Sequence, residues 1–286
     1  MKKKVSIIIP VYKNIHFLKK SLESAVFQTY KNIEILVIND GNSISDKNQI
    51  YKIRNKFKKK NIIIINVPKN KGVSNALNEG IKKSKGHYIS WLSHDDYFHK
   101  DKTKLQVNFL KKKKAKICSC DFIEINNIKK YKLDRVLEKN YFDDQILSII
   151  LNDSLHGCSL IIEKTCFKEF LFNRKYKHIQ DYDLWNRMSE KYFFIHLSKK
   201  LLFSNKHVSQ SSYLKKDEST VEKIKFYKNL LQKKLLFYNF YQLTNVIKFI
   251  LRSIFMYKSF SLAFIVLRRF MFYNFYNYLR LYLNKN

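Results

Sequence analysis

The sequence predicts a mixed α/β fold: a mainly parallel sheet flanked by helices, with a helical extension at the C-terminus. Three observations carry that expectation. Short apolar runs alternate with segments of helical period from Val5 to Leu92. Polar clusters follow those runs, at the carboxyl ends of the expected strands, where open α/β sheets bind ligands. Beyond about residue 217 the composition changes, and Glu222 is the only acidic residue among positions 221–286.

In order along the chain, Val5-Ser-Ile-Ile-Ile9 reads as a buried strand ended by Pro10. Residues 15–29 carry Leu18, Leu22, Ala25 and Val26 on one helical face. Residues 33–38 form a second strand that breaks into the polar turn Asn39-Asp-Gly-Asn42. A basic helix runs to about Lys60, the strand Ile62–Val67 follows, and a helix at about Val73–Ser84 leads to the strand His87–Leu92. Residues 117–214 are less regular, with strands expected near 117–125, 158–163 and 200–204. A helix beginning near Asp181 carries Leu184, Trp185 and Met188. The sequence thus divides into residues 1–215 and a basic, aromatic tail, 216–286.

With 45% apolar residues among 286, the chain has material for a core. The net charge of +33 has two readings: the compositional bias of an AT-rich genome, or a polyanionic partner such as a nucleotide diphosphate, a lipid headgroup or nucleic acid. Charge alone does not choose, and no nucleic-acid motif is present, so no nucleic-acid partner is expected. Cys118, Cys120, Cys158 and Cys166 form neither a zinc pattern nor a disulfide framework, and are expected as buried thiols of a cytoplasmic protein. The apolar run after Met1-Lys-Lys-Lys4 stops at Pro10, too short for a signal core. No apolar run reaches spanning length.

Ser93-His-Asp-Asp96 places adjacent carboxylates after a buried strand, a donor set for Mg²⁺ or Mn²⁺ or, alternatively, a cap for the helix starting near Asp101. Asp40 can accept hydrogen bonds from a base or a ribose, or form an Asx-turn before Gly41. Gly72 lets backbone approach a phosphate at a helix N-terminus, or simply turns the chain. Asp181 is a general base or a helix N-cap, two compatible roles. His156 either precedes a strand or contacts a hydroxyl or phosphate.

Together these clusters resemble the family 2 glycosyltransferases, inverting enzymes of the GT-A fold. Val5-Ser-Ile-Ile-Ile-Pro-Val-Tyr-Lys-Asn14 is similar to that family's first strand, and Glu34-Ile-Leu-Val-Ile-Asn-Asp-Gly41 to its second strand and acidic turn. Asn70-Lys-Gly-Val-Ser-Asn-Ala-Leu-Asn78 and Gly86-His-Tyr-Ile89 resemble the helix and strand before its metal motif. Leu92-Ser-His-Asp-Asp96 resembles the Asp-x-Asp region, and Gln180-Asp-Tyr-Asp-Leu-Trp185 the motif of the base. The likeness runs over about residues 4–215.

The resemblance implies that Asp40 contacts uracil, that Asp95 holds Mn²⁺ or Mg²⁺ on the donor diphosphate, and that Asp181 is the base. It sets Pro10, Tyr12, Gly72, Asn75, Ser93 and His156 at the substrates. Three positions depart from the family pattern: Ser93 and Asn39 replace acids, and Leu77 replaces a frequent Arg. The implied reaction is an in-line displacement that inverts the anomeric centre. A sugar moves from a nucleotide-diphosphate donor to a hydroxyl of a glycan or lipid-linked acceptor, in surface polysaccharide assembly. Transfer to polyprenyl phosphate is the alternative within the enzyme class, and a non-catalytic carbohydrate- or lipid-binding module the alternative outside it.

In the tail, Phe249–Leu251, Ser253–Tyr257 and Phe260–Leu267 are punctuated by Lys248, Arg252, Lys258, Arg268 and Arg269. Such helices suit an anionic membrane surface, here the inner face of the cell membrane, or cover a core or dimer interface.

Overall fold

A computed structural model describes residues 3–58, 60–126, 131–135, 155–210 and 214–234, and parts of 253–268. The chain divides into two compact units: Met1–Phe142 with Ser154–Leu214, and Asp143–Asp153 with Lys215–Asn286.

In the first unit nine strands form one mixed sheet of order β3-β2-β1-β4-β8-β6-β9-β5, with β7 paired to β6. The strands are β1 (Val5–Val11), β2 (Ile33–Asp40), β3 (Ile62–Val67), β4 (Tyr88–Trp91), β5 (Tyr97–Phe98), β6 (Ile117–Asn126), β7 (Tyr131–Arg135), β8 (Ile161–Glu163) and β9 (Phe194–Lys206). The helices are α1 (Leu18–Val26), α2 (Ile44–Asn55), α3 (Val73–Lys83), α4 (Lys102–Lys113) and α5 (Gln180–Ser189), with α6 (Lys216–Lys234) in the second unit.

The first four strands are parallel, and β1 lies between β2 and β4. Covered on both faces, β1 is mostly apolar and buried without alternation. It runs through Pro10 to Val11 instead of ending there. Pro10 points to the β4 side, past the last rung at Ile8, so its missing N–H costs no ladder bond. At the sheet edge β3 does alternate, leaving Ile63 exposed.

Beyond β4 the sheet turns antiparallel through β8, then parallel again where β6 pairs with β9. Helix α3 packs on β1 and β2, and α4 on β6, β8 and β9. This places the carboxyl ends of β1, β2, β4 and β6 at one end of the sheet.

Several local expectations shift. The helix expected over 15–29 is a 3₁₀ turn, Ile15–Phe17, followed by α1. Asn39 and Asp40 belong to β2, not to the turn. Helix α4 begins at Lys102 with Asp101 at its N-cap, so neither Asp95 nor Asp96 caps it. All four cysteines are free, buried thiols, and burial pushes each of them up, Cys120 to about 12.

In the second unit α6 opens on Asp217 and Glu218, the favourable charge for a helix N-terminus. The tail positions Phe249–Leu251, Tyr257, Lys248, Arg252 and Arg269 lie outside the described residues. Among the described residues, no helix is long and apolar enough to cross a membrane.

Candidate active site

After β4 the chain makes a tight polar turn, Leu92-Ser-His-Asp-Asp96, and each side chain is held by a different element. The Ser93 N–H donates to the Cys158 sulfur at 3.2 Å, and its carbonyl accepts from Ser21 Oγ. His94 bonds the Pro10 backbone, and burial lowers its proton affinity. Asp96 is buried, and its Oδ1 accepts the Asn205 N–H at 2.9 Å. Burial, then the neighbouring Asp95 charge, pushes Asp96 well above the usual carboxylate range.

Asp95 behaves differently. Its Oδ2 lies 3.0 Å from His207 Nε2, and the other imidazole nitrogen lies 2.9 Å from Ser209 Oγ. The His207 ring packs on Phe17 with centroids 4.3 Å apart. Burial pushes the Asp95 carboxyl up, but the His207 hydrogen bond and nearby His94 outweigh it and hold it below the usual value. Of the two, Asp95 is therefore the one on which the charge is favoured, and Asp96 the one on which it is disfavoured.

Two donor sets here can be tested against a divalent cation. Asp96, His156 and Cys158 bring one ligand atom each within 4.8 Å of one another. Yet Asp96 and Cys158 are both pushed up by burial, and thiol sulfur is a poor partner for a hard ion. His156 Nε2 instead lies 3.1 Å from Ser204 Oγ and 3.6 Å from Asp96 Oδ2, while Nδ1 accepts the Cys158 N–H. That trio reads as a packed hydrogen-bonded support. The Asp95 carboxylate with the His207 nitrogen is the better fit for Mn²⁺ or Mg²⁺, since both atoms are hard or borderline donors at the edge of the turn.

At the tip of β2, Asp40 spans to α3. Its two oxygens accept the N–H groups of Lys71 and Gly72, at 3.2 and 3.1 Å. The carboxylate is thus no Asx-turn before Gly41; it fastens the loop ahead of α3, and burial raises its proton affinity despite those bonds. Gly72 is the α3 N-cap at φ 85°, a conformation that favours glycine. Asn75 lies buried in the first turn of α3. Asn39 donates to Asn66 Oδ1 and accepts from Asn42, so its amide ties β2 to β3 and to the turn, using a donor that a carboxylate lacks. Tyr12 is exposed beside Lys13, whose ammonium lies 5.4 Å from the ring centroid.

Asp181 arrives on α5. The N-cap is Ile179, so Asp181 is in the first turn rather than at the cap, and its Oδ1 accepts the Tyr182 N–H at 3.0 Å. The helix is oriented by Asp183, which takes two bonds from Arg187, whose Nη2 also donates to the Leu171 carbonyl. The next residue, Phe172, exchanges two hydrogen bonds with Asn78 of α3 and packs edge-to-face on Trp91, centroids 5.3 Å apart. Through this chain of contacts α3, the 171–176 loop and α5 are set against the end of β4. A Cβ on Gly157 would lie 3.2 Å from Asp181 Oδ2 and 2.9 Å from Trp91 Nε1.

The structure therefore groups Pro10, Ser93, Asp95 and His156 around the turn after β4, and Asp40 with Gly72 at the tip of β2. Asp181 meets the first group through Gly157 and Trp91. Among the described residues, Tyr12 and Asn75 hydrogen-bond to neither group. His207, Asn205 and Trp91 went unrecognised in the sequence. The first two follow or end a long strand with no local motif, and Trp91 reads as ordinary core.

A mainly parallel sheet with this cluster at its carboxyl ends defines a domain of the GT-A class of nucleotide-sugar transferases. The chain belongs to glycosyl transferase family 2, whose family model matches residues 6–194. An uncharacterized glycosyltransferase of Rickettsia typhi is 39% identical over 199 residues, covering 66% of this chain and 60% of the relative. The chain thus spans less than two thirds of that relative's length. Escherichia coli WfaP, named a UDP-Glc:α-D-GlcNAc-diphosphoundecaprenol β-1,3-glucosyltransferase, is 31% identical over 65% of this chain and 70% of its own. The crystal structure of Staphylococcus aureus TarS 1–349 with UDP-GlcNAc shares the fold at TM-score 0.63 and 18% identity, over 88% of this chain and 72% of that one. The Pyrobaculum calidifontis mannosyltransferase PcManGT with GDP-Man and Mn²⁺ does so at 0.61 and 11%, over 81% and 65%.

Proposed function

We propose that the chain is an inverting glycosyltransferase that moves a sugar from a UDP-sugar to a hydroxyl of a glycan or lipid-linked acceptor, in surface polysaccharide assembly. The observation that carries the reading is the approach of Asp181 Oδ2 to Gly157 and Trp91, beside the turn that holds Asp95. A carboxylate at that point suits a general base for an acceptor hydroxyl attacking the anomeric carbon. Asp95 and His207 would hold Mn²⁺ or Mg²⁺ on the donor diphosphate. When bound, the ion neutralises charge on the departing nucleotide. Asp40, with Lys71 and Gly72, would frame the uracil end of the donor, and Pro10, Tyr12, Asn75, Ser93 and His156 the rest of the substrates. Holding donor and acceptor together supplies much of the remaining rate.

Residues 1–215 are the transferase part of this reading, and 216–286 a segment for the anionic inner face of the cell membrane or for oligomerisation. The phosphate-acceptor alternative finds less support, because a carboxylate beside the acceptor repels an anion and the named activity of WfaP transfers to a lipid-linked sugar. A non-catalytic module would not need both Asp95 and Asp181. Incubating the full chain with a panel of nucleotide sugars, with and without Mn²⁺, tests the proposal. Metal-dependent release of UDP from at least one donor is the expected result, and release from none would end it.

A further inference from the structure

His207 lies just past the end of β9, outside any helix or strand, yet its ring is fixed on three sides. Nε2 lies 3.0 Å from Asp95 Oδ2, Nδ1 lies 2.9 Å from Ser209 Oγ, and the ring packs on Phe17 with centroids 4.3 Å apart. Two of these three supports trace back to one residue. Asn14 precedes the 3₁₀ turn Ile15–Phe17, and its carbonyl accepts the Phe17 N–H at 3.2 Å. Its side chain makes no capping bond to that turn. The amide Nδ2 instead donates to the Ser209 carbonyl at 3.3 Å, across 195 positions of chain. Asn14 also sits in the left-handed region, at φ 47°, directly after Lys13 at φ 55°. Side chains seldom adopt that conformation, although asparagine tolerates it better than most. Asn42 holds the loop there: its Oδ1 accepts the Lys13 N–H and its Nδ2 donates to the Val11 carbonyl.

We infer that Asn14 is a positioning residue for the cation site: it sets Ser209 behind His207 and Phe17 against its ring, so that His207 Nε2 stays aimed at Asp95. The inference rests on Asp95 and His207 being the cation's ligands. A neutral imidazole binds a cation through Nε2 only when Nδ1 carries the proton, and a partner for that proton fixes both the tautomer and the ring's orientation. Ser209 Oγ stands in that place. The turn that carries Ser209 gains little from burial, since the neighbouring Val208 is exposed. The bond from Asn14 ties that turn to the loop after β1. A residue that served only as a cap would bond the turn it precedes, whereas Asn14 spends its donor on the distant loop.

Calorimetric titration of Mn²⁺ into the full chain at saturating UDP tests this without turnover. Asn14→Gly keeps the left-handed backbone but removes the amide. Ser209→Ala keeps the carbonyl but removes the partner of Nδ1. Each should weaken Mn²⁺ binding about tenfold, the low end of what losing a metal ligand's own partner costs. Made together with His207→Ala, Asn14→Gly should cost nothing more, because Asn14 acts only through that imidazole. A general loosening of the fold would lower affinity in both backgrounds alike. Native Mn²⁺ affinity in either single variant overturns the inference, and so does an equal loss with and without His207. Native affinity in His207→Ala would instead remove the imidazole from the cation site, and the inference with it, a failure that this variant alone identifies.

Discussion

The carboxylate of Asp95 lies 3.0 Å from the imidazole of His207, although 112 positions of chain separate them. One residue follows the fourth strand and the other follows the ninth, so only the closure of β9 onto β6, with Asn205 gripping Asp96, brings them together. In the function proposed above, this pair would hold the divalent cation.

Loss of Asp95 should therefore abolish Mn²⁺-dependent UDP binding, with His207→Ala weakening it less because a carboxylate remains. Calorimetric titration of UDP with and without Mn²⁺ checks both variants. Unchanged metal-dependent affinity in Asp95→Ala would remove the assignment.

Asp181→Asn preserves volume and hydrogen bonding, and Asp181 is not the N-cap, so the helix should be undisturbed. General-base contributions are typically about 10²–10⁴-fold, and turnover onto a sugar hydroxyl should fall by that much while UDP affinity barely moves. A polyprenyl phosphate acceptor, already ionised, should lose far less. Comparing the two acceptors separates the readings.

Lys102 makes a different kind of prediction. It is fully buried, with Nζ 3.3 Å from Ser90 Oγ and 4.3 Å from the Phe98 ring centroid, and burial lowers its pKa. The unfolded chain keeps that proton over the whole window from the lowered value up to the ordinary lysine range. In that window the unfolded state binds more protons, so stability rises with pH. Lys102→Met should remove this rise and, at about pH 7, be more stable than the native chain, since Ser90 keeps its bond to the Leu160 carbonyl. Urea unfolding of both proteins at two pH values measures the difference. A variant less stable than the native chain would show that the ammonium is well solvated by its neighbours.

For the tail, the full chain should sediment with anionic vesicles in a salt-sensitive manner, and a chain ending at Leu214 should not. Phe260, Phe264 and Leu267 are exposed at helical spacing near Lys258 and Arg268, which suits a lipid surface. If neither protein sediments with vesicles, the tail is a packing or assembly element.

Much of this domain was legible in one dimension because its determinants are local. Short, mostly apolar runs such as Val5–Ile9 read as strands covered on both faces, and the helical periods between them point to parallel crossovers. Parallel strands put their carboxyl ends on one side, so Asp40, Asp95 and the residues after β1 were expected at the same end of the sheet. The four buried thiols follow from the same patterning.

The partners of those residues are another matter, because they depend on which distant segment the folded sheet carries past them. Nothing in the local sequence distinguishes Asp95 from Asp96. Burial and the neighbouring Asp95 charge raise the proton affinity of the second despite its bond from Asn205, while His207 lowers that of the first. Asp40 looked like a turn residue, yet its carboxylate bridges to a loop 31 residues onward. Trp91 and Gly157 come close to Asp181 only where β4, the turn after residue 156 and α5 converge. Strand order and side are set by hydrophobic period over a few residues, whereas a site's protonation states and contacts are set by burial and by packing across the whole sheet.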